Sequence, residues 1–280
     1  MHNYIVQVYG WVKWPTSIGL VMEYMPGGNL AQFINNDSMK AFVLGFLRIF
    51  YELASGLAFI HNLPSSQKIV HGDLKPENAL LTSDLHCKLS DFGSAQMIAL
   101  TGFSTPQAAN QNKLDMTLAY SPPEKLKSLN INPKKEHDIY SFGMILYAIL
   151  SGSPPYQHPS YESAFRESII RGERPDEESI DERRATLTEH QQQILDVLRS
   201  IMRRCWAQDP SDRPTMLEVR DELKSLLEQQ SKEALAGEVS EMLEVVQVNI
   251  PNKEEHQFQP LHEFSPKTGK FQQGAFSKVL

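Results

Sequence analysis

The sequence predicts an α+β fold, a small antiparallel β piece followed by a mainly helical body. Three observations carry this. Two β-branched and aromatic runs, YIVQVYGWV and SIGLVMEYM, open the chain on either side of a turn at Lys13 to Thr16. From Ser38 to Asn62, Met39, Phe42, Val43, Phe46, Phe50, Leu53, Leu57 and Ile60 keep helical spacing. EHDIYSFGMILYAILSG is apolar on almost all faces, the pattern of a helix surrounded by other helices.

The elements follow in order. PGGNL breaks the second strand and opens a short helix. Ala79 to Leu81 and Cys87 to Leu89 read as short strands among polar loops. Ser94 to Ser121 is a long polar stretch without periodicity, the kind of loop that is functional or disordered. Gly152 and the prolines after it end the apolar helix. Helices are expected near Glu162 to Arg171, Glu189 to Trp206 and Thr215 to Gln229. In the last of these Thr215 and Glu218 form a capping box. Leu235, Val239, Met242 and Val246 then place one apolar face on an acidic helix. The domain expectation is therefore a unit over residues 1–230, an amphipathic helix over 231–248 and an irregular tail over 249–280.

Composition narrows the function class. The 280 residues carry a formal net charge of −7, with 41% hydrophobic and 22% charged residues. That charge disfavours binding to nucleic acid or to an anionic membrane. Two cysteines, Cys87 and Cys205, fit a reducing, cytoplasmic location and leave no disulfide framework. No apolar run reads as long enough for membrane insertion, and the first residues lack the pattern of a secretory signal.

The chemistry concentrates in HGDLKPEN, His71 to Asn78. An Asp, a Lys and an Asn within eight residues form either a solvated polar turn or a base, a phosphate clamp and a metal ligand. Four further motifs decide between these: DFG, TLAYSPPE, DIYSFG and CWAQDPSDRP. With the first, they resemble the catalytic lobe of a eukaryotic protein kinase, in the family's order, over roughly Ile5 to Leu227. LVMEYMPGGNL and the CWxxDPxxRP ending are most similar to the tyrosine-kinase-like branch and to the receptor-interacting serine/threonine kinases.

The resemblance implies an incomplete kinase-like fold, with a helical lower lobe and a remnant of the upper sheet. It also implies ATP and Mg²⁺ as cofactors, and a protein substrate with a Ser or Thr acceptor. Phosphoryl transfer needs a positioned hydroxyl, metal ions and charge neutralisation rather than covalent work by the protein. Asp73 would orient the acceptor hydroxyl and take its proton, and Lys75 would offset charge on the γ-phosphate. Asn78 and Asp91 would hold metal through hard oxygen ligands. Phe92 would pack beside His71. Met22 matches the gatekeeper, Glu23 and Met25 the hinge, and Leu80 the floor under adenine. DLKPEN and Thr117 match serine/threonine enzymes. Glu124 and Arg213 match a buried ion pair, Asp138 matches the acceptor of catalytic-loop N–H groups, and Trp206 reads as core.

Two departures stand out. Gly72 lies where most of the family has Arg, so a phosphate on Ser94, Thr101, Ser104 or Thr105 is not expected to order the segment through that contact. Pro122 and Met116 are smaller changes. The sequence also starts at the equivalent of the fourth strand. The family's glycine-rich loop, strand Lys and helix Glu would lie upstream, and neither Lys13 nor Lys40 replaces that Lys. Residues 1–280 alone are thus expected to show no measurable ATP affinity and poor solubility, with apolar surface exposed on the strand pair and hinge. GKFQQGAFSKVL at the end resembles part of a glycine-rich loop, against the plainer reading of a loose tail. The alternatives to an enzyme are a catalytically dead scaffold and a short product that competes for partners, acting through the helical lobe or the helix over 231–248.

Overall fold

The two opening runs pair, but over less than their full length. In the computed structural model, which describes residues 2–13, 18–34, 36–64, 69–94, 96–97, 118–128, 132–156 and 162–249, β1 (Val8–Lys13) runs antiparallel to β2 (Ile18–Met22) with an irregular register between Val8 and Gly10. Residues before β1 leave that pair. The Leu89 N–H donates to the Tyr4 carbonyl and the Val6 N–H to the Leu89 carbonyl. The expected longer strand is thus divided between two sheets. β3 (Gly28–Asn29), β5 (Ala79–Leu81) and β6 (Cys87–Leu89) form the second, in the order β3-β5-β6. β4 (Ile69–Val70) pairs with β7 (Gln96–Met97). The PGGNL break gives a 3₁₀ turn at Leu30–Phe33, capped by the Asn29 side chain.

The long helix starts later than periodicity suggests. Asp37–Met39 is a separate 3₁₀ turn, held by the Asn36 side chain on the Ser38 N–H, and α1 spans Val43–His61. Phe42, at its N-cap, offers no side-chain acceptor. The missing cap comes from 194 residues further along the chain: Glu238 Oε2 accepts the N–H groups of Leu44 at 2.7 Å and Gly45 at 3.2 Å. A carboxylate there satisfies two orphan donors and meets the positive end of the helix dipole. Against expectation, α1 is apolar and long enough to cross a bilayer. It is instead the centre of the core, with Leu47, Ile49, Phe50, Leu53 and Leu57 fully buried.

Among the described residues, the helices after Asn78 are α2 (Pro123–Lys127), α3 (Lys135–Ser151), α4 (Glu162–Arg171), α5 (Glu178–Thr186), α6 (Glu189–Cys205), α7 (Met216–Glu228) and α8 (Lys232–Asn249). α3 is buried from His137 to Ser151 and stops before Gly152, which takes the left-handed conformation. α1 packs on α7 and α8, and α3 packs on α6. The Thr215–Glu218 capping box forms. α8 seats Val239 and Met242 in the core, with Leu235 and Val246 against it.

α5 lies outside the elements expected from sequence, because its buried face consists of Ile180 and an arginine. Arg183 donates to the Ile149 and Leu150 carbonyls at the end of α3, where a cation is favoured. Burial lowers its pKa to about 10. Thr101, Ser104, Thr105, Met116, Thr117 and the 269–280 stretch lie outside the described residues.

Glu124 and Arg213 form the expected ion pair in bidentate geometry, at 2.7 and 2.9 Å. The Arg213 side chain has no exposed surface. Its remaining donors reach the Glu136 and Ala207 carbonyls, and its guanidinium lies 5.1 Å from the Tyr140 ring centre. Removing the cation strands a half-buried carboxylate and two carbonyls. Arg213→Met is therefore expected to cost about 3–5 kcal/mol in urea denaturation, and pairing it with Glu124→Leu should recover part of the loss.

Candidate active site

The loop from His71 to Asn78 is built around a buried carboxylate. Asp138, in the first turn of α3, accepts the His71 N–H at 2.8 Å and the Gly72 N–H at 2.9 Å. His61, at the end of α1, meets the same carboxylate at 2.8 Å. This is the N–H acceptor role expected for Asp138. Burial opposes its ionisation, but the contacts with His61, His71 and the Gly72 N–H outweigh that and hold its carboxyl below the usual carboxylate range. Gly72 can turn its N–H inward because its φ is +77°, a region that disfavours side chains. An Arg at this position would be strained, so the departure from the family pattern has a backbone correlate.

His71 is fully buried and ties this loop to the next. The Asp73 N–H points to its Nδ1 at 3.4 Å, so Nε2 carries the proton and donates to the Ser90 carbonyl at 2.8 Å. Its ring lies 5.2 Å from that of Phe92, the neighbour expected from sequence. The Asn78 carbonyl accepts both the N–H and the hydroxyl of Ser90, each at 2.9 Å. The loop carrying Asp91 is thus pinned to the loop carrying Asp73 at two points.

Three of the expected site residues meet directly. Lys75 Nζ lies 3.0 Å from Asp73 Oδ2. Asn78 Nδ2 donates to the Asp73 carbonyl at 2.7 Å and lies 3.4 Å from its Oδ2. Pro76 sits at the start of a 3₁₀ turn, Pro76–Asn78, that sets this spacing. With Nδ2 engaged, Oδ1 is the Asn78 atom left to face a cation. Asp91 follows Ser90, whose N–H and hydroxyl are held by the Asn78 carbonyl. It is exposed, has a φ of +58°, and accepts the Gly93 N–H at 3.2 Å. The left-handed conformation costs a non-glycine residue about 1 kcal/mol and is tolerated best by Asp and Asn.

The residues assigned to adenine lie on a more open surface. Met25 is buried, and Leu80 and Glu23 are half-buried. Met22 is 41% exposed. Leu20, Met22 and Tyr24 alternate along one exposed face, which matches the apolar surface expected of the strand pair. Glu23 is fixed by Lys88 at 2.7 Å and by the Gln7 N–H at 2.7 Å.

Among the described residues no three His, Cys, Asp or Glu side chains converge as a metal cage. Asn78 and Asp91 each carry a hard oxygen donor of the kind Mg²⁺ takes, and that ion typically uses one or two protein ligands and completes its shell with phosphates and water.

The protein kinase domain profile matches residues 1–223. The chain belongs to the protein kinase domain family. This kinase domain is 33% identical over 231 residues to receptor-interacting serine/threonine-protein kinase 4 of Mus musculus, covering 82% of the chain and 27% of the relative. It is 29% identical over 250 residues to receptor-interacting serine/threonine-protein kinase 1 of Homo sapiens, covering 86% and 35%. It is 32% identical over 264 residues to ankyrin repeat and protein kinase domain-containing protein 1 of Homo sapiens, covering 90% and 32%. The chain spans about a quarter to a third of the length of these relatives.

Sequence reasoning did not find His61 or Ser90. His61 is a polar residue on the buried face of a helix, and only its distant partner Asp138 gives it a role. Asp138→Asn in this kinase domain should cost about 2 kcal/mol or more at pH 7. Because the folded pKa is depressed, the wild-type advantage exists above about pH 4 and shrinks as pH falls further. Urea denaturation of both proteins at pH 7 and pH 3 should show this convergence.

Proposed function

We propose that this kinase domain transfers the γ-phosphate of Mg-ATP to Ser or Thr hydroxyls of protein substrates, in cytoplasmic signalling. The observation that supports it is the Asp73–Lys75–Asn78 cluster, three polar side chains held by a buried network that commits a carboxylate, an ammonium and an amide to one point. Asp73 is the group to orient the acceptor hydroxyl and hold its proton. Lys75 is close enough to share charge between Asp73 and an incoming phosphate. Asn78 and Asp91 are the oxygen donors for Mg²⁺, which supplies charge neutralisation at the transferring phosphate. Met22, Glu23, Met25 and Leu80 are assigned to adenine. Residues 1–230 act as the catalytic unit, with α8 packed on α1 as an extension.

A second reading, a kinase-like protein that works by binding, is favoured by the exposed Leu20, Met22 and Tyr24 face. The same assay separates the two. It uses the full-length natural protein. With Mg-ATP and casein, the wild type should yield phosphoserine and phosphothreonine. Asp73→Asn should lower the rate by about 100-fold or more with folding unchanged. Absence of transfer by a folded wild type, or equal transfer by Asp73→Asn, would favour the binding protein.

A further inference from the structure

Two adjacent residues of α2 carry opposite charges to opposite destinations. Glu124 reaches Arg213, beneath the helical lobe. Lys125 reaches the catalytic loop and donates from Nζ to the Gly72 carbonyl at 2.7 Å. Gly72 is therefore gripped on both sides: its N–H by the Asp138 carboxylate, its carbonyl by the Lys125 ammonium. Lys125 and Asp73 line the same small cleft, together with Tyr120, Ser121 and His137. Burial pulls the Lys125 pKa below its ordinary value, while the charges of Asp73 and Asp138 oppose that shift and Lys75 adds to it.

We propose that Lys125 is a positioning residue for phosphoryl transfer: from the end of the activation segment it supplies a fixed cation that clamps the catalytic loop at Gly72 and keeps Asp73 in place. The inference rests on the kinase reading above and extends it to the loop's control. Position 72 has no side chain that could gather a phosphate on the activation segment. A lysine donating to a backbone carbonyl needs no phosphate to complete it. Loop order is then coupled to the docking of α2, which the Glu124–Arg213 pair enforces one residue earlier. The charge-assisted bond is directional and half-buried, so it should matter most for geometry at Asp73 and little for ATP capture.

The test compares wild type, Lys125→Met and Lys125→Arg in the full-length natural protein, with Asp73→Asn as the inactive reference. Lys125→Met should lower kcat by about tenfold or more and leave KM for ATP within about twofold. It should also speed amide exchange of His71 and Gly72 by about tenfold. Lys125→Arg, which keeps a cationic donor, should restore both. Wild-type turnover with wild-type exchange in Lys125→Met would overturn the proposal, and so would a failure of Lys125→Arg to restore either. If the wild type shows no transfer above Asp73→Asn, the kinase reading falls, and the exchange comparison alone decides whether Lys125 clamps the loop. If Lys125→Met does not fold, acylation of wild-type lysines followed by mass spectrometry replaces it. Lys125 should then react at least about tenfold more slowly than the exposed Lys127, and equal reactivity would contradict the clamp.

Discussion

The Asp138 carboxylate is the constraint on which the rest of the site depends. It is nearly inaccessible to water, and an ionised carboxylate so placed must be compensated. Compensation comes from two backbone N–H groups of the catalytic loop and from His61. α1 and α3 are thereby joined through the loop they flank. The loop cannot move without exposing this charge to a less favourable setting. Precision at Asp73 is therefore a consequence of a buried charge in the first turn of α3 that the loop must satisfy, rather than of stiffness in the loop itself.

A second set of contacts carries that order outward. His71 and Asn78 pass it to Ser90, and Phe92 packs on His71, so the Asp91 segment is registered to the Asp73 loop by hydrogen bonds and one ring contact. Glu124 and Lys125 pass it to α2, and Arg213 passes it to the base of the domain. Apart from the Phe92 ring, each link is a polar group that would be costly to leave unpaired, and this gives the lower lobe a cooperative polar spine inside an apolar core.

What was legible in the sequence was local. That Asp73, Lys75 and Asn78 lie near one another follows from their places in one loop with a proline that sets its turn, while their assigned roles came from the family resemblance. The burial of α3 follows from an unbroken apolar stretch, and the Thr215–Glu218 box from residues three apart. What was not legible depends on partners far along the chain. The start of α1 is capped by Glu238, so nothing near Val43 announces it. α5 hides its role in Arg183, a residue type that pattern reading assigns to solvent. Tyr4 to Val6 look like any strand, and their choice of β6 over β2 is made by the register of Leu89. The long-range ion pair of Glu124 and Arg213 was foreseen only through family resemblance, since its two motifs say nothing of each other locally.

If Asp73, Lys75, Asn78 and Asp91 address one magnesium-bound triphosphate, a crystal structure of the full-length natural protein with Mg²⁺ and a non-hydrolysable ATP analogue should show it. The metal should lie about 2.1 Å from Asn78 Oδ1 and an Asp91 carboxylate oxygen, with the terminal phosphate against Lys75. A bound nucleotide whose metal and phosphates contact none of these residues would contradict it.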